Sequence, residues 1–258
     1  MNDILVAKIG GSTLGSHDTT LQDIVELQRN GVRPVVVHGG GALINEWLTR
    51  HGLRSRFERG LRVTDEATLK VVVAVLAGLV NKEIVASLGA LGARALGLSG
   101  ADSGLLRAKL LDEKLGFVGE ITSVDTTGLM PLLQTGVIPV IAPVAVKFEG
   151  KEQTAQLLNI NADTAAGAIA AALKAHWLVF LTDVPGVRTG GGKVLSRLSV
   201  AAAGRLMQSG AIEGGMIPKV EACLAASAAG CHSVIADGRA EHALLAVAEG
   251  RAAGTIVA

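Results

Sequence analysis

Two lysines and one aspartate are the residues best placed to do chemistry, each beside glycines or a helix start. Lys8 sits in the apolar run Ile4–Ile9, which breaks into Gly10 and Gly11. Lys219 follows Gly214, Gly215 and Pro218, a pattern that opens a helix. Asp163 ends Asn159-Ile-Asn-Ala-Asp163, where a strand turns into a helix. A second apolar run, residues 34–38, breaks into Gly39, Gly40 and Gly41. Glycine leaves backbone N–H groups bare, and bare amides with a helix N-terminus and a lysine suit a phosphate. A carboxylate between two lysines would hold both in place. Plainer readings exist for each part. A glycine turn after a strand is common, a lysine can snorkel from a strand end, and one of Asn159, Asn161 and Asp163 must cap a helix.

Arg62, in Gly60-Leu-Arg-Val-Thr64, precedes another helix, where its guanidinium fork suits a small-molecule carboxylate or simply meets solvent. Thr182-Asp-Val-Pro-Gly186 follows an apolar run and is either a turn or a place for adenine or ribose. Other chemistries are excluded. No G-x-x-x-x-G-K-[ST] motif occurs, and no G-x-G-x-x-G follows a strand, so neither a P-loop nor a dinucleotide fingerprint is present. The six histidines make no Ser-His-Asp, Cys-His or zinc spacing. His38 reads as a packing or hydrogen-bonding residue rather than a base.

Composition narrows the class. Of 258 residues 49% are hydrophobic and 18% charged, with 33 glycines, enough for a sizeable core. Aromatic residues make up 2% and net charge is +1, so neither stacking platforms nor a basic footprint for nucleic acid or a membrane surface is expected. Cys223 and Cys231 lie in an alanine-rich stretch without metal or redox spacing, as buried thiols of a reducing compartment do. The longest unbroken apolar run, residues 71–80, is about half of the ~20 residues a membrane span needs. Asp3 and Lys8 interrupt any signal-peptide core. A cytoplasmic globule without nucleic-acid or membrane partners is expected.

The elements that must position these residues alternate. Strands are expected at Ile4–Ile9 and residues 35–38, 94–98, 138–141, 178–181, 233–235 and 255–257. Helices are expected at residues 42–50, 129–135, 164–174, 200–207, 217–229 and 241–249, with an amphipathic one carrying Leu21, Ile24, Val25 and Leu27. Thr64 is expected to cap a long helix running through residues 71–80 toward Leu88, with Asp65 and Glu66 in its first turn. Residues 105–110, 116–121, 144–148 and 154–158 read as short strands in hairpins appended near a cleft. The β–α rhythm predicts an α/β fold, a three-layer α-β-α sandwich around a mainly parallel central sheet. A lobe boundary is expected near residue 175, giving lobes of residues 1–175 and 176–258.

Taken together, Lys8-Ile-Gly-Gly11, His38-Gly-Gly-Gly41, Gly60-Leu-Arg-Val-Thr-Asp65, Val80-Asn-Lys82, Gly97-Leu-Ser-Gly100 and Gly116-Phe-Val-Gly-Glu120 resemble the amino-acid kinase family. So do Asn159-Ile-Asn-Ala-Asp-Thr-Ala-Ala-Gly167, Leu181-Thr-Asp-Val-Pro-Gly-Val187 and Gly214-Gly-Met-Ile-Pro-Lys-Val-Glu221. The motifs span essentially the whole chain in the family's order and are most similar to its acetylglutamate-phosphorylating branch. The resemblance implies the amino-acid kinase fold and ATP-dependent phosphorylation of the side-chain carboxylate of N-acetyl-L-glutamate, the second step of arginine biosynthesis. It makes Lys8, Lys219 and Asp163 catalytic, with the aspartate orienting the lysines.

The same resemblance gives Gly40, Gly41, Arg62 and Asn159 to the acyl substrate, Arg62 through its α-carboxylate. It gives Gly10, Gly11, Thr182, Asp183, Val184, Pro185, Gly186, Val187, Arg188, Ala211, Ile212 and Glu213 to the nucleotide and its phosphates. Mg²⁺ is expected only on the ATP phosphates, with no protein metal site. The N-terminal lobe would bind acetylglutamate and dimerise, and the C-terminal lobe would bind ATP. Arginine-inhibited members carry an extra N-terminal helix. The start of this sequence at its first strand therefore leads us to expect a homodimer without strong arginine feedback. The carrier-protein-linked aminoadipate kinase of lysine biosynthesis and a non-catalytic nucleotide sensor stay open as alternatives.

Overall fold

The computed structural model describes residues 3–10, 19–189, 192–251 and 254–257. The chain begins with β1 (Ile4–Ile9), α1 (Thr20–Arg29), β2 (Arg33–His38) and α2 (Gly41–Arg50). Two short strands follow, β3 (Phe57–Glu58) and β4 (Leu61–Arg62). A long helix then runs as α3 (Glu66–Val73), a π-helical stretch (Ala74–Val80) and α4 (Asn81–Ala90). The middle holds β5 (Ala95–Ser99), β6 (Leu106–Leu110), β7 (Gly119–Val124), α5 (Leu129–Gln134), β8 (Ile138–Ala142), β9 (Val144–Glu149) and β10 (Glu152–Asn159). The rest is α6 (Ala162–Leu173), β11 (Trp177–Thr182), β12 (Arg197–Leu198), α7 (Val200–Gln208), α8 (Met216–Ala228), β13 (His232–Asp237), α9 (Ala243–Ala248) and β14 (Thr255–Val257).

Among the described residues the central sheet has the order β12-β14-β13-β11-β1-β2-β8-β5. Every neighbouring pair is parallel except β13–β14. Strand alternation sorts side chains into two cores, because successive residues face opposite sides of the sheet. Ile4 and Val6 of β1, Val35 and Val37 of β2, and Leu178 and Phe180 of β11 join the core covered by α6 and α8. Leu5, Ala7, Ile9, Val36, Val179 and Leu181 join the opposite core, under α1 and the long helix. The three-layer α/β architecture expected from the β–α rhythm is thus present. Parity also aims the polar ends of two strands. Lys8 falls on the α6–α8 face, and His38 falls on the face of the long helix.

The appended strands form a second sheet, β10-β9-β6-β7, with β3 and β4 as a separate antiparallel hairpin. Two local expectations are corrected. Thr64 is not the helix cap: its hydroxyl donates to Arg62 O, and Asp65 accepts from Thr68 N at 2.8 Å instead. The strand expected over residues 116–121 starts at Gly119. Gly116 turns into the left-handed region at φ +69° against Thr64, where a Cβ would lie 2.4 Å from the Thr64 carbonyl oxygen.

The reading that no apolar segment reaches membrane-spanning length is also corrected. Glu66–Ala90 is one continuous 25-residue helix, long and apolar enough by length and composition to cross a bilayer. Polar residues within it, among them Lys70, Asn81, Lys82 and Glu83, do not break the helix. Core helices pass the same test, and here Val72, Val75, Leu76, Ile84 and Leu88 are buried in the core beneath the sheet.

Candidate active site

The lysine–aspartate cluster assembles from three elements. β1 delivers Lys8, which is 7% exposed. In α6, Asn161 is the N-cap and accepts from Asp163 N at 2.9 Å and Thr164 N at 3.1 Å, fixing the first turn that carries Asp163. In α8, Lys219 lies in the first turn after Gly214 and Gly215. The Lys8 Nζ stands 2.8 Å from Asp163 Oδ1, an ion pair without a well-directed hydrogen bond. Lys219 Nζ donates to Asp163 Oδ2, also at 2.8 Å, and to Gly215 O at 3.2 Å.

The α6 and α8 helices approach closely at Gly167, where a Cβ would sit 2.7 Å from Ala222 Cβ. Gly167 is one turn after Asp163, and Ala222 is three residues after Lys219. The close approach and the ion pair therefore lie on the same facing surfaces.

Two ammonium groups on one carboxylate leave an unbalanced positive charge in a buried place. Burial pushes Lys8 below the ordinary lysine value; Asp163 opposes this and Lys219 adds to it. Burial pushes Asp163 up, but the charges of Lys8 and Lys219 outweigh it and hold the carboxyl below its usual range. An entering anion would complete this arrangement.

Beside the cluster lies a cavity of about 240 Å³, lined by Lys8, Gly39, Gly40, Gly41, Arg62, Asn159 and Asp163 among others. Arg62 is held from three directions. Its Nη1 donates to Asn45 Oδ1 at 2.8 Å and to Ser55 Oγ, its Nη2 donates to Gly41 O at 3.2 Å, and its guanidinium lies 4.7 Å over the Phe57 ring. Burial pushes its pKa below the usual arginine value. Asn159 Nδ2 donates to Thr64 Oγ1 at 3.0 Å, which ties β10 to the loop behind Arg62.

Gly40 is the N-cap of α2 and packs closely on the long helix, since a Cβ there would meet Leu76 Cδ2 of the π-helical stretch at 2.7 Å and that side chain would have to shift. Gly41 has open space where its Cβ would be, so backbone rather than side chain faces the cavity. A second cavity of about 620 Å³ adjoins the first across Asn161 and Asp163, with Gly214, Gly215 and Pro218 on its far wall.

The structure thus brings Lys8, Lys219, Asp163, Gly40, Gly41, Arg62 and Asn159 together. Among the described residues, none of those expected to hold the nucleotide lines either cavity. Thr182 ends β11 next to β1, and Asp183 is near enough to favour the Lys8 charge. Thr182 Oγ1 donates to Asp183 Oδ1 at 3.2 Å. Val184, Pro185 and Gly186 continue this turn. Gly186 is at φ +143°, against Thr255 Oγ1. Val187 is fully buried and its N–H is taken by Thr255 Oγ1 at 2.8 Å, while Arg188 bridges to Val194.

Ala211, Ile212 and Glu213 lead into α8, and Ile212 is a core side chain. Gly10 follows β1, whereas Gly11 lies outside the described residues. Sequence reasoning missed Asn45, Ser55 and Phe57, which hold Arg62. Asn45 lies in the helix after the triple glycine, and no motif marks the other two.

Residues 3–237 match the amino acid kinase family. An acetylglutamate kinase from Dehalococcoides mccartyi is 45% identical, over 99% of this chain and 95% of the relative. One from Geotalea uraniireducens is 48% identical, over 93% of this chain and 86% of the relative. Among solved structures, smu.665 from Streptococcus mutans UA159 superposes with a TM-score of 0.85 at 30% identity, covering 100% of this chain and 99% of that one. The match runs through the strand, helices and glycine loops that build the lysine–aspartate cluster, and the chain belongs to the amino acid kinase family.

Proposed function

We propose that this chain transfers the γ-phosphoryl group of ATP to the side-chain carboxylate of N-acetyl-L-glutamate, giving N-acetyl-L-glutamyl 5-phosphate in arginine biosynthesis. The observation that carries this reading is the two-lysine clamp on Asp163, 2.8 Å on each side, facing a cavity with Arg62 in its wall. The acetylglutamate kinases at 45% and 48% identity support the choice of acceptor.

The chemistry follows from charge. A carboxylate nucleophile is already ionised at neutral pH, so the reaction needs no general base. Catalysis then consists of positioning two anions and neutralising charge as the phosphoryl group moves between them. Lys8 and Lys219 act on the phosphoryl oxygens in flight, and Asp163 orients both ammonium groups without attacking. The backbone amides of Gly40 and Gly41, with those of Gly10 and Gly11, supply donors to the phosphate and acyl oxygens. Arg62 takes the α-carboxylate of acetylglutamate, and Asn159 takes a second polar group of the same substrate. The turn from Thr182 to Arg188 and the segment from Ala211 to Glu213 take the nucleotide.

Each Asp163 oxygen faces one lysine ammonium at 2.8 Å, which supports the role of orienting the lysines. Mg²⁺ would enter with the ATP phosphates and would supply further charge neutralisation there. The reading extends to two lobes, residues 1–175 for acetylglutamate and dimerisation and residues 176–258 for ATP, and to a homodimer. The long helix turns Ala74 and Gly78 outward and leaves Ala77 and Leu79 half-buried, which supports a dimer across that face.

An ADP-release assay with acetylglutamate, free glutamate and carrier-linked aminoadipate tests the function. Turnover confined to acetylglutamate is expected. Turnover confined to either of the other acceptors, or none at all, rejects the reading. Light scattering tests the dimer.

A further inference from the structure

Behind the glycine loop lies a chain of buried polar groups for which the reaction as described has no use. His38 and Asn81 are both fully buried. Asn81 Nδ2 contacts Val140 O at 2.8 Å, Leu98 O at 3.2 Å and His38 Nε2 at 3.2 Å. Its Oδ1 meets Lys82 Nζ at 3.0 Å. Carbonyl oxygens only accept and an ammonium only donates, so the orientation of the Asn81 amide is fixed from both ends.

The group facing His38 is therefore the amide NH2, which shares two N–H bonds among three acceptors and cannot itself accept, so Nε2 must be bare and offer its lone pair. A neutral imidazole then carries its proton on Nδ1, which lies 3.0 Å from Gly39 O, a group that only accepts. The Gly39–Gly40 peptide is trans, so anchoring the Gly39 carbonyl on the buried side turns the Gly40 N–H the other way. Gly39, Gly40 and Gly41 line the substrate cavity, and His38 does not.

We propose that Lys82, Asn81 and His38 form a positioning relay that fixes the His38 tautomer and thereby aims the Gly40 amide at the reacting anion. His38 and Asn81 touch no substrate, so they are positioning residues. The inference rests on the phosphoryl-transfer reading above. Gly97 belongs to the same device: a Cβ there would lie 1.9 Å from Asn81 Oδ1 and 2.5 Å from Lys82 Nζ. The relay has room only because β5 carries no side chain at that point.

The test combines spectroscopy with kinetics. Nitrogen-15 NMR of the wild-type imidazoles at pH 7, with His38→Asn used to assign the His38 signals, should show His38 protonated on Nδ1 and bare on Nε2. A proton on Nε2 overturns the relay whatever the kinetics of the Leu variant. His38→Leu, which misaims a backbone donor without removing it, should lower kcat about 10- to 100-fold, less than the ~10²–10³-fold of losing such a donor outright, with both KM values within about threefold. His38→Asn, whose amide N–H can take the place of Nδ1–H, should recover most of that loss. Equal kcat in folded His38→Leu and wild type overturns the proposal, as does equal loss in the Leu and Asn variants. If the wild type fails to turn over acetylglutamate, the functional reading falls instead, and the tautomer still decides whether the relay exists.

Discussion

Lys8 Nζ and Asp163 Oδ1 meet at 2.8 Å although one residue belongs to the sheet and the other to the helix layer above it. Two independent local rules produce the contact. Strand parity sends Lys8 to the same face as Ile4 and Val6, and the Asn161 cap starts α6 so that Asp163 falls in its first turn. A one-residue slip of β1 would bury Lys8 in the other core, so the register of the sheet is part of the active site.

Lys8→Arg should separate charge from geometry. The substitution keeps the positive charge but replaces a compact ammonium with a planar fork that cannot sit in the same place beside Asp163. We expect kcat to fall about 100-fold or more, with KM for acetylglutamate changed by no more than about threefold, because the loss is felt in the transition state. Steady-state kinetics at saturating ATP measure this. Equal changes in both constants would remove Lys8 from phosphoryl transfer.

Arg62→Lys should act on binding instead. Asn45, Ser55, Gly41 O and Phe57 together hold a planar guanidinium, and a lysine ammonium cannot satisfy them and also grip a carboxylate in two places. KM for acetylglutamate should rise about 10-fold or more while KM for ATP stays within about twofold. An unchanged acetylglutamate KM would place the α-carboxylate elsewhere.

What the sequence made legible follows the strength of the local signals. The apolar runs gave β1, β2, β8 and β11 to within two residues, because fully buried parallel strands read as continuous hydrophobic stretches. Lys8, Asp163 and Lys219 stood out because charge beside glycine at an element end is uncommon in a core. The β3–β4 hairpin did not: its two-residue strands are too short for a period. Asn45 and Ser55 were illegible because their role exists only once the hairpin brings Arg62 back over α2. Asn81 lay within a motif shared with the family, but its function depends on partners in β2, β5 and β8 that only folding assembles.

His38 predicts a pH dependence of stability. Burial pushes its pKa down to about 4, from an ordinary value near 6.5. Below pH 6.5 the unfolded chain gains a proton there that the folded protein does not accept. The stability that depends on neutral His38 is therefore complete above pH 6.5 and declines as pH falls toward 4, by roughly 3 kcal/mol. The contribution from Asp163 is lost only below its ordinary value of 3.8, so the two windows are distinct. His242, raised by its hydrogen bond with Asp23, runs in the opposite sense, losing its contribution as pH rises. Urea unfolding of wild type and His38→Asn at pH 7 and 4.5 isolates the term. The wild type should lose more stability than the variant, and parallel losses would contradict the buried neutral imidazole.

Gly167→Ala tests whether helix packing sets the clamp. A Cβ at Gly167 would stand 2.7 Å from Ala222 Cβ and 3.0 Å from both Cα and O of Ala222. Because two of those neighbours are backbone, no rotamer change can relieve the clash, and α8 must move away from α6. Overpacking of this kind costs about 1–3 kcal/mol. The displacement acts within one turn of the Lys219–Asp163 pair, so Lys219 should be drawn away from the carboxylate that orients it. A small misplacement of a catalytic group lowers rate steeply, and we expect kcat to fall at least about tenfold while acetylglutamate binding, proposed to run through Arg62, is kept. A variant that unfolds at lower urea but retains full kcat would show that the clamp tolerates the separation of its two helices. A combined fall in stability and kcat, with unchanged KM for acetylglutamate, is the outcome the packing requires.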